Sequence, residues 1–151
     1  MKTFETLSDL GAQVGQVVGS SEWVTITQAQ IQQFADATGD HQWIHTDPER
    51  ARTGPFGTTI AHGFLTLSLL PQFFENTIAV LGARMSVNYG LNKVRFLSPV
   101  PVDSRLRAHF KLLQCDAIDG NGVQMLWEMS VEREGQTKPV CVAESLLRQY
   151  A

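Results

Sequence analysis

Asp40 and His45 are the residues of this chain whose types and spacing first suggest chemistry. They sit in the segment Gly39-Asp40-His41-Gln42-Trp43-Ile44-His45-Thr46-Asp47-Pro48, which Ile60-Ala61-His62-Gly63 follows closely. A carboxylate and an imidazole that share one water can orient it, take a proton from it and return a proton elsewhere. Addition of water to a conjugated double bond needs those operations. A metal centre needs more ligands than this pair; His41 and His62 could be recruited, but no helical histidine pair or cysteine cluster accompanies them. Gly63 is the next feature. At the start of an apolar helix its N–H has no partner within the helix, and the helix dipole adds positive potential there. Such a donor suits a developing oxyanion, where preorganised donors commonly supply roughly 3 kcal/mol. A glycine there also lets substrate approach the backbone closely.

The elements that must position these groups follow from hydrophobic period. Thr27 can cap a helix whose Ile31, Phe34, Ala35 and Thr38 share one face, and Gly39 ends it, so Asp40 leaves a helix terminus. Asp47 followed by Pro48 reads as an N-cap with proline at the first helical position, giving a short helix through about Arg52. The dyad candidates then lie in irregular backbone between two helices, where side chains can converge. After a loop with Gly54, Pro55 and Gly57, the run Phe64, Leu65, Leu67, Leu69, Leu70, Phe73 and Phe74 is apolar around most of a helical circumference. Burial on several sides makes it the central helix, with a kink or early end near Pro71. The second half alternates instead, through Met85-Val87-Tyr89, Leu106 to Leu112, Val123 to Val131 and Val140 to Leu147, the pattern of half-buried antiparallel strands. Asp119-Gly120-Asn121-Gly122 reads as a hairpin turn, and Trp23 to Ile26 as an additional early strand. A buried helix followed by such a sheet packs simply when the sheet curls around the helix, the α+β hot-dog arrangement, although period alone also admits other α+β sandwiches.

Composition bounds the alternatives. A chain of 151 residues with 43% hydrophobic content suffices for one sizeable core and is short for two, so a single domain over 1–151 is expected. Twelve Lys and Arg against fifteen Asp and Glu give a net charge of -3, without the broad basic field that collects nucleic acid or anionic membrane. Met1 to Leu10 carries Glu5 and Asp9 without a long apolar run, and no later stretch is long enough to span a bilayer, so a soluble cytoplasmic protein is expected. Cys115 and Cys141 fall in strands without metal or redox spacing and read as free thiols.

The motifs resemble those of the MaoC-like, R-specific enoyl-CoA hydratases, especially the branch related to nodulation protein N. The likeness rests on Asp40, His45 and Asp47, on Ile60-Ala61-His62-Gly63, and on Val94-Arg95-Phe96-Leu97-Ser98-Pro99-Val100, about the middle 65 residues. It implies Asp40 and His45 as catalytic dyad, the Gly63 N–H as oxyanion donor, and syn addition of water to a trans-2-enoyl-CoA giving an (R)-3-hydroxyacyl-CoA. Coenzyme A then belongs to the substrate, and no separate cofactor is implied. The family also joins two copies into one continuous sheet, which implies a homodimer. Phe56, Gly57, His62, Asn88, Tyr89 and Asn92 are the substrate-binding candidates, and all but Gly57 have a structural alternative: loop packing for Phe56, support of the helix start for His62, a strand end and turn for the last three. Arg95 reads as a solvated strand residue or a contact to a CoA phosphate, and His109 as a surface residue. Two features depart from the family: His41-Gln42-Trp43 stands where many relatives have Asn-Pro, and Pro71 where some short-chain members have serine. The competing functions are a 3-hydroxyacyl-ACP dehydratase, a thioesterase, and a non-catalytic acyl-CoA binding subunit.

Overall fold

A computed structural model describes residues 1–151. The elements in chain order are β1 (Lys2–Phe4), α1 (Leu7–Gly11), β2 (Val17–Ser20), β3 (Val24–Thr25), α2 (Gln28–Thr38), α3 (Trp43–Thr46), α4 (Pro48–Arg52), α5 (Gly63–Ser68), α6 (Leu70–Glu75), β4 (Ile78–Val80), β5 (Met85–Phe96), β6 (Arg105–Ile118), β7 (Gly122–Arg133) and β8 (Cys141–Tyr150). An antiparallel sheet runs β2-β6-β7-β8-β5, with β3 also paired to β6, while β1 and β4 form a separate parallel pair. The β6–β7 turn uses positive φ at Gly120 and Asn121, the conformation that Asn and Gly tolerate best.

The concave face of the sheet is apolar because alternate residues of each strand point the same way. Leu106, Ala108, Phe110 and Leu112 of β6, Met125, Trp127, Met129 and Val131 of β7, and Cys141, Ala143 and Leu147 of β8 are all buried. Leu65, Leu69, Leu70, Phe73 and Phe74 of α5 and α6 fill the hollow. The Phe74 ring meets Trp127 and Phe110 edge-on, with centroids 5.1 and 5.4 Å away. The Met125-Trp127-Met129 stripe is therefore core, and this is the hot-dog arrangement.

The central helix is two helices: α5 ends at Ser68, and α6 begins at Leu70 with Pro71 in its first turn. Proline lacks the N–H that a continuous helix would use, which explains the interruption. Strand β8 runs on to Tyr150. Short elements without a readable period, namely β1, α1, β2 and β4, were not evident from the sequence. Strand β5 departs most from expectation. It pairs only with β8 and leaves Met85, Val87, Tyr89, Leu91 and Phe96 exposed, so it is an open edge rather than a half-buried strand. His109 lies on the outer face, half-buried, between Ser20 and Glu132. Both cysteines are free, and burial pushes the Cys141 thiol up to about 11. No helix is long and apolar enough to cross a membrane.

Candidate active site

The site is assembled where α2 ends, α3 forms and α5 begins. Thr27 and Gln30 close a capping box at the start of α2, and Gly39 ends it at φ 80°, a left-handed conformation that costs glycine little. Asp40 follows with its side chain about half exposed. Its local supports are long: its N–H donates to Thr38 Oγ1 at 3.4 Å, and its Oδ1 accepts from the Gln42 N–H at 3.4 Å. The segment after it is not irregular, as the sequence implied, because Trp43–Thr46 forms one helical turn carrying His45. Trp43 packs beneath Arg50 of α4, whose guanidinium carbon is 4.4 Å from the ring centroid. Asp47 caps α4 by accepting the Arg50 N–H at 3.0 Å, which leaves His45 free of any capping role.

His45 is held both at its ring and at its main-chain carbonyl. Its Nδ1 lies 2.7 Å from the Ile60 carbonyl oxygen. A carbonyl can only accept, so Nδ1 carries the hydrogen and the neutral ring presents a lone pair at Nε2. The His45 carbonyl accepts from Gln28 Nε2 at 2.7 Å, and Gln28 Oε1 accepts from the buried Thr59 hydroxyl at 2.5 Å. The Ile60 N–H donates back to the Ile44 carbonyl at 3.0 Å. Burial lowers the pKa of His45 below the usual 6.5, with the neighbouring His62 adding to the effect while the Ile60 bond and the Asp40 charge oppose it. His45 is thus a neutral base at neutral pH.

His62 completes the cluster. It is buried, its ring stacks on His45 with centroids 3.8 Å apart, and its Nε2 lies 2.9 Å from the Asp40 main-chain oxygen. Asp40, His45 and His62 each bring one ligand-type atom within 4.8 Å of the others, a convergence hidden by their spacing in the sequence. Three such atoms could hold a cation, although each imidazole commits one nitrogen to a backbone carbonyl.

A cavity of about 360 Å3 opens beside His45, lined by Phe56, Gly63, Thr66, Phe96 and Val100 among others. The Gly63 N–H makes no hydrogen bond within the chain. A Cβ at Gly63 would stand 3.0 Å from the Phe96 ring, so glycine keeps that wall in place. Of the other binding candidates, Phe56 lines this cavity, whereas His62 is not part of its wall and Gly57 sits in a turn at φ 71°. Asn88 and Tyr89 both line a different cleft, with Leu70, Pro71 and Ser145. Tyr89 and Asn92 fall at irregularities in the β5 register. The Tyr89 ring packs under Arg148, 3.4 Å from its guanidinium carbon, and Asn92 lies beside Gln114, Gln124 and Leu146 on the outer face. Arg95 lies near Lys93, Glu128 and Glu144, away from the cavity beside His45. Sequence reasoning missed Gln28, which gave no local signal, and Thr66, whose position one helical turn after Gly63 could have flagged it.

The chain matches the family described as "MaoC like domain" over residues 9–134. It belongs to that family. The MaoC-like chain is 56% identical over 151 residues to "3-hydroxyacyl-thioester dehydratase Z" of Mycobacterium tuberculosis, covering 100% of both chains. It is 46% identical over 140 residues to "Nodulation protein N" of Rhizobium leguminosarum bv. viciae, covering 91% of this chain and 87% of that one. The solved structure of an R-hydratase from Pseudomonas aeruginosa in unliganded form superposes with a TM-score of 0.70 at 26% identity, covering 91% of this chain and 81% of the other. The protein is accordingly a hydratase/dehydratase of the MaoC type, a lyase acting on a carbon–oxygen bond.

Proposed function

We propose that this MaoC-like protein is an (R)-specific enoyl-CoA hydratase whose dyad is Asp40 and His45. The observation that carries the reading is the Nδ1 bond from His45 to the Ile60 carbonyl, which leaves the Nε2 lone pair beside the Asp40 carboxylate and next to the cavity. Asp40 holds a water, and His45 Nε2 takes one of its protons as the water oxygen bonds to the β-carbon of a trans-2-enoyl thioester. The double-bond electrons move to the thioester oxygen, where the unpaired Gly63 N–H donates to the enolate. Asp40 stabilises the imidazolium. That imidazolium returns its proton to the α-carbon as the enolate collapses, so the β-carbon has gained hydroxide, the α-carbon a proton, and His45 is neutral again. Because one dyad serves both carbons from one side, the addition is syn. Run backwards, the same steps are a 3-hydroxyacyl-thioester dehydration, the activity in the name of the mycobacterial relative.

The working unit in this reading is a homodimer joined through β5. An edge strand of twelve residues, open along one side and with exposed Val87, Leu91 and Phe96, is a template for pairing, and a second copy would both pair it and cover those side chains. Phe64, exposed beside Gly63, lies at the same margin through its edge-on contact with Phe96.

The test is loss of enoyl-thioester absorbance with purified protein and crotonyl-CoA, followed by chiral analysis of the product. Formation of (R)-3-hydroxybutyryl-CoA is expected. Release of free thiol would point to a thioesterase, turnover confined to acyl-carrier-protein substrates to a carrier-specific dehydratase, and binding without turnover to an acyl-CoA binding subunit.

A further inference from the structure

His62 has a place in the fold that neither core packing nor substrate contact explains. It is 2% exposed and immediately precedes Gly63, but it forms no part of the dyad cavity wall. Its side chain makes one hydrogen bond, from Nε2–H to the Asp40 main-chain oxygen at 2.9 Å, while the Asp40 carboxylate is 4.0 Å from the same nitrogen. With Nε2 as donor, Nδ1 holds a lone pair, and that atom is buried without a partner. A buried, unpaired acceptor destabilises a fold, and an apolar ring of similar shape would avoid the penalty. The imidazole is thus retained against stability, which points to a use for its one hydrogen bond.

That use is visible in the two groups His62 touches. Asp40 has only weak local anchors, two bonds of 3.4 Å, so the 2.9 Å bond from His62 is its short tether to the rest of the chain. The opposite contact is the His45 ring, stacked at 3.8 Å and 25°, with Phe34 of α2 set against His62 at 4.9 Å. We infer that His62 is a positioning residue, which fixes Asp40 through its Nε2–H and the His45 ring plane through its face, and so sets the separation at which the dyad holds water. The inference rests on the reading of Asp40 and His45 as the dyad. A group of this kind acts on geometry rather than affinity, and displacement of a reacting group by about 1 Å can cost on the order of 100-fold in rate.

Three variants separate the contributions. His62→Phe keeps a flat ring against His45 and loses the tether; His62→Gln keeps a donor at nearly the Nε2 position and loses the stack; Asp40→Asn reports on the dyad itself. With crotonyl-CoA, His62→Phe is expected to lower kcat roughly 10- to 100-fold with KM within about threefold of the parent. Its Tm should equal or exceed that of the parent. His62→Gln should recover part of the lost kcat. Unchanged kcat in folded His62→Phe overturns the inference, as does a rise in KM at constant kcat, which would make His62 a substrate contact. Activity losses that merely track losses in Tm would also overturn it, leaving His62 a structural residue. If phenylalanine prevents folding, His62→Gln is compared with His62→Ala: higher kcat in the glutamine variant at equal KM supports the tether, and equal kcat refutes it. Full activity in Asp40→Asn would instead bring down the dyad reading, whatever the His62 variants do.

Discussion

The segment from Gly39 to Gly63 and strand β5 border the same central helix but are finished to different degrees. In the first, His45 is tied to Ile60 and, through its own carbonyl, to Gln28 and Thr59, while His62 is tied to Asp40, all by contacts within one chain. In the second, twelve residues pair along one side only, break register twice, and leave apolar side chains open. On the proposed function, separate tasks account for the contrast. Groups that move protons must be rigid before substrate arrives, whereas an edge that waits for a second copy has to stay available until association.

The largest effect expected in the first region comes from the dyad. Asp40→Asn or His45→Gln should lower hydration at least about 100-fold, the scale of a general acid–base group, with a thermal melt close to that of the parent; near-normal turnover in either would remove the contrast altogether. In the second region, Leu91→Asp places a charge on the open edge. Burying an unpaired charge costs about 3 kcal/mol or more, so the dimer should weaken by on the order of 100-fold. Light scattering at micromolar concentration would detect the shift to monomer, and a parent protein already monomeric there would break the comparison from the other side.

Smaller effects sharpen it. Gln28→Ala removes the partner of the buried Thr59 hydroxyl and of the His45 carbonyl, a loss of about 1–3 kcal/mol readable in a denaturant melt. The pH profile follows from the lowered pKa of His45. Burial disfavours its charged form, so the ring keeps its lone pair to below pH 6.5, and activity should hold there and fall only as pH drops through the lower value. Any residual activity of Asp40→Asn should persist to still lower pH, because the Asp40 charge is one of the influences that raise the His45 value. The smallest effect is the response to a chelator: with the dyad acting on water directly, EDTA should leave turnover unchanged.

Local rules carried much of this architecture. The Thr27 cap, the Gly39 stop, the Asp47-Pro48 start and the interruption at Pro71 each depend on a few neighbouring residues, and each was legible in the chain. The alternation of β6, β7 and β8 was legible because β8, β7 between Met125 and Val131, and β6 as far as Leu112 bury every second residue. Strand β5 misled because its alternation resembles theirs while its position at the edge depends on global topology. Its register sets Asn88 against buried Leu147 and Val87 against Arg148 of the outer face, so the Met85-Val87-Tyr89 run points outward, and the irregularity at Asn92 sets that residue beside Gln114 and Gln124. Within the site, Asp40 and His45 were evident from spacing. The Ile60 carbonyl that sets the His45 tautomer, and the His62 ring stacked on it, are contacts between segments brought together by folding.

On the proposed function, one dyad delivers both parts of water to the same face of the double bond. Hydration of trans-crotonyl-CoA in D2O, with the relative configuration of the two new centres read by NMR, tests it most directly. A single product is predicted, with deuterium at the α-carbon and hydroxyl at the β-carbon added from one face. Deuterium on the opposite face, or scrambled between the two, would contradict a shared dyad and require a separate proton donor.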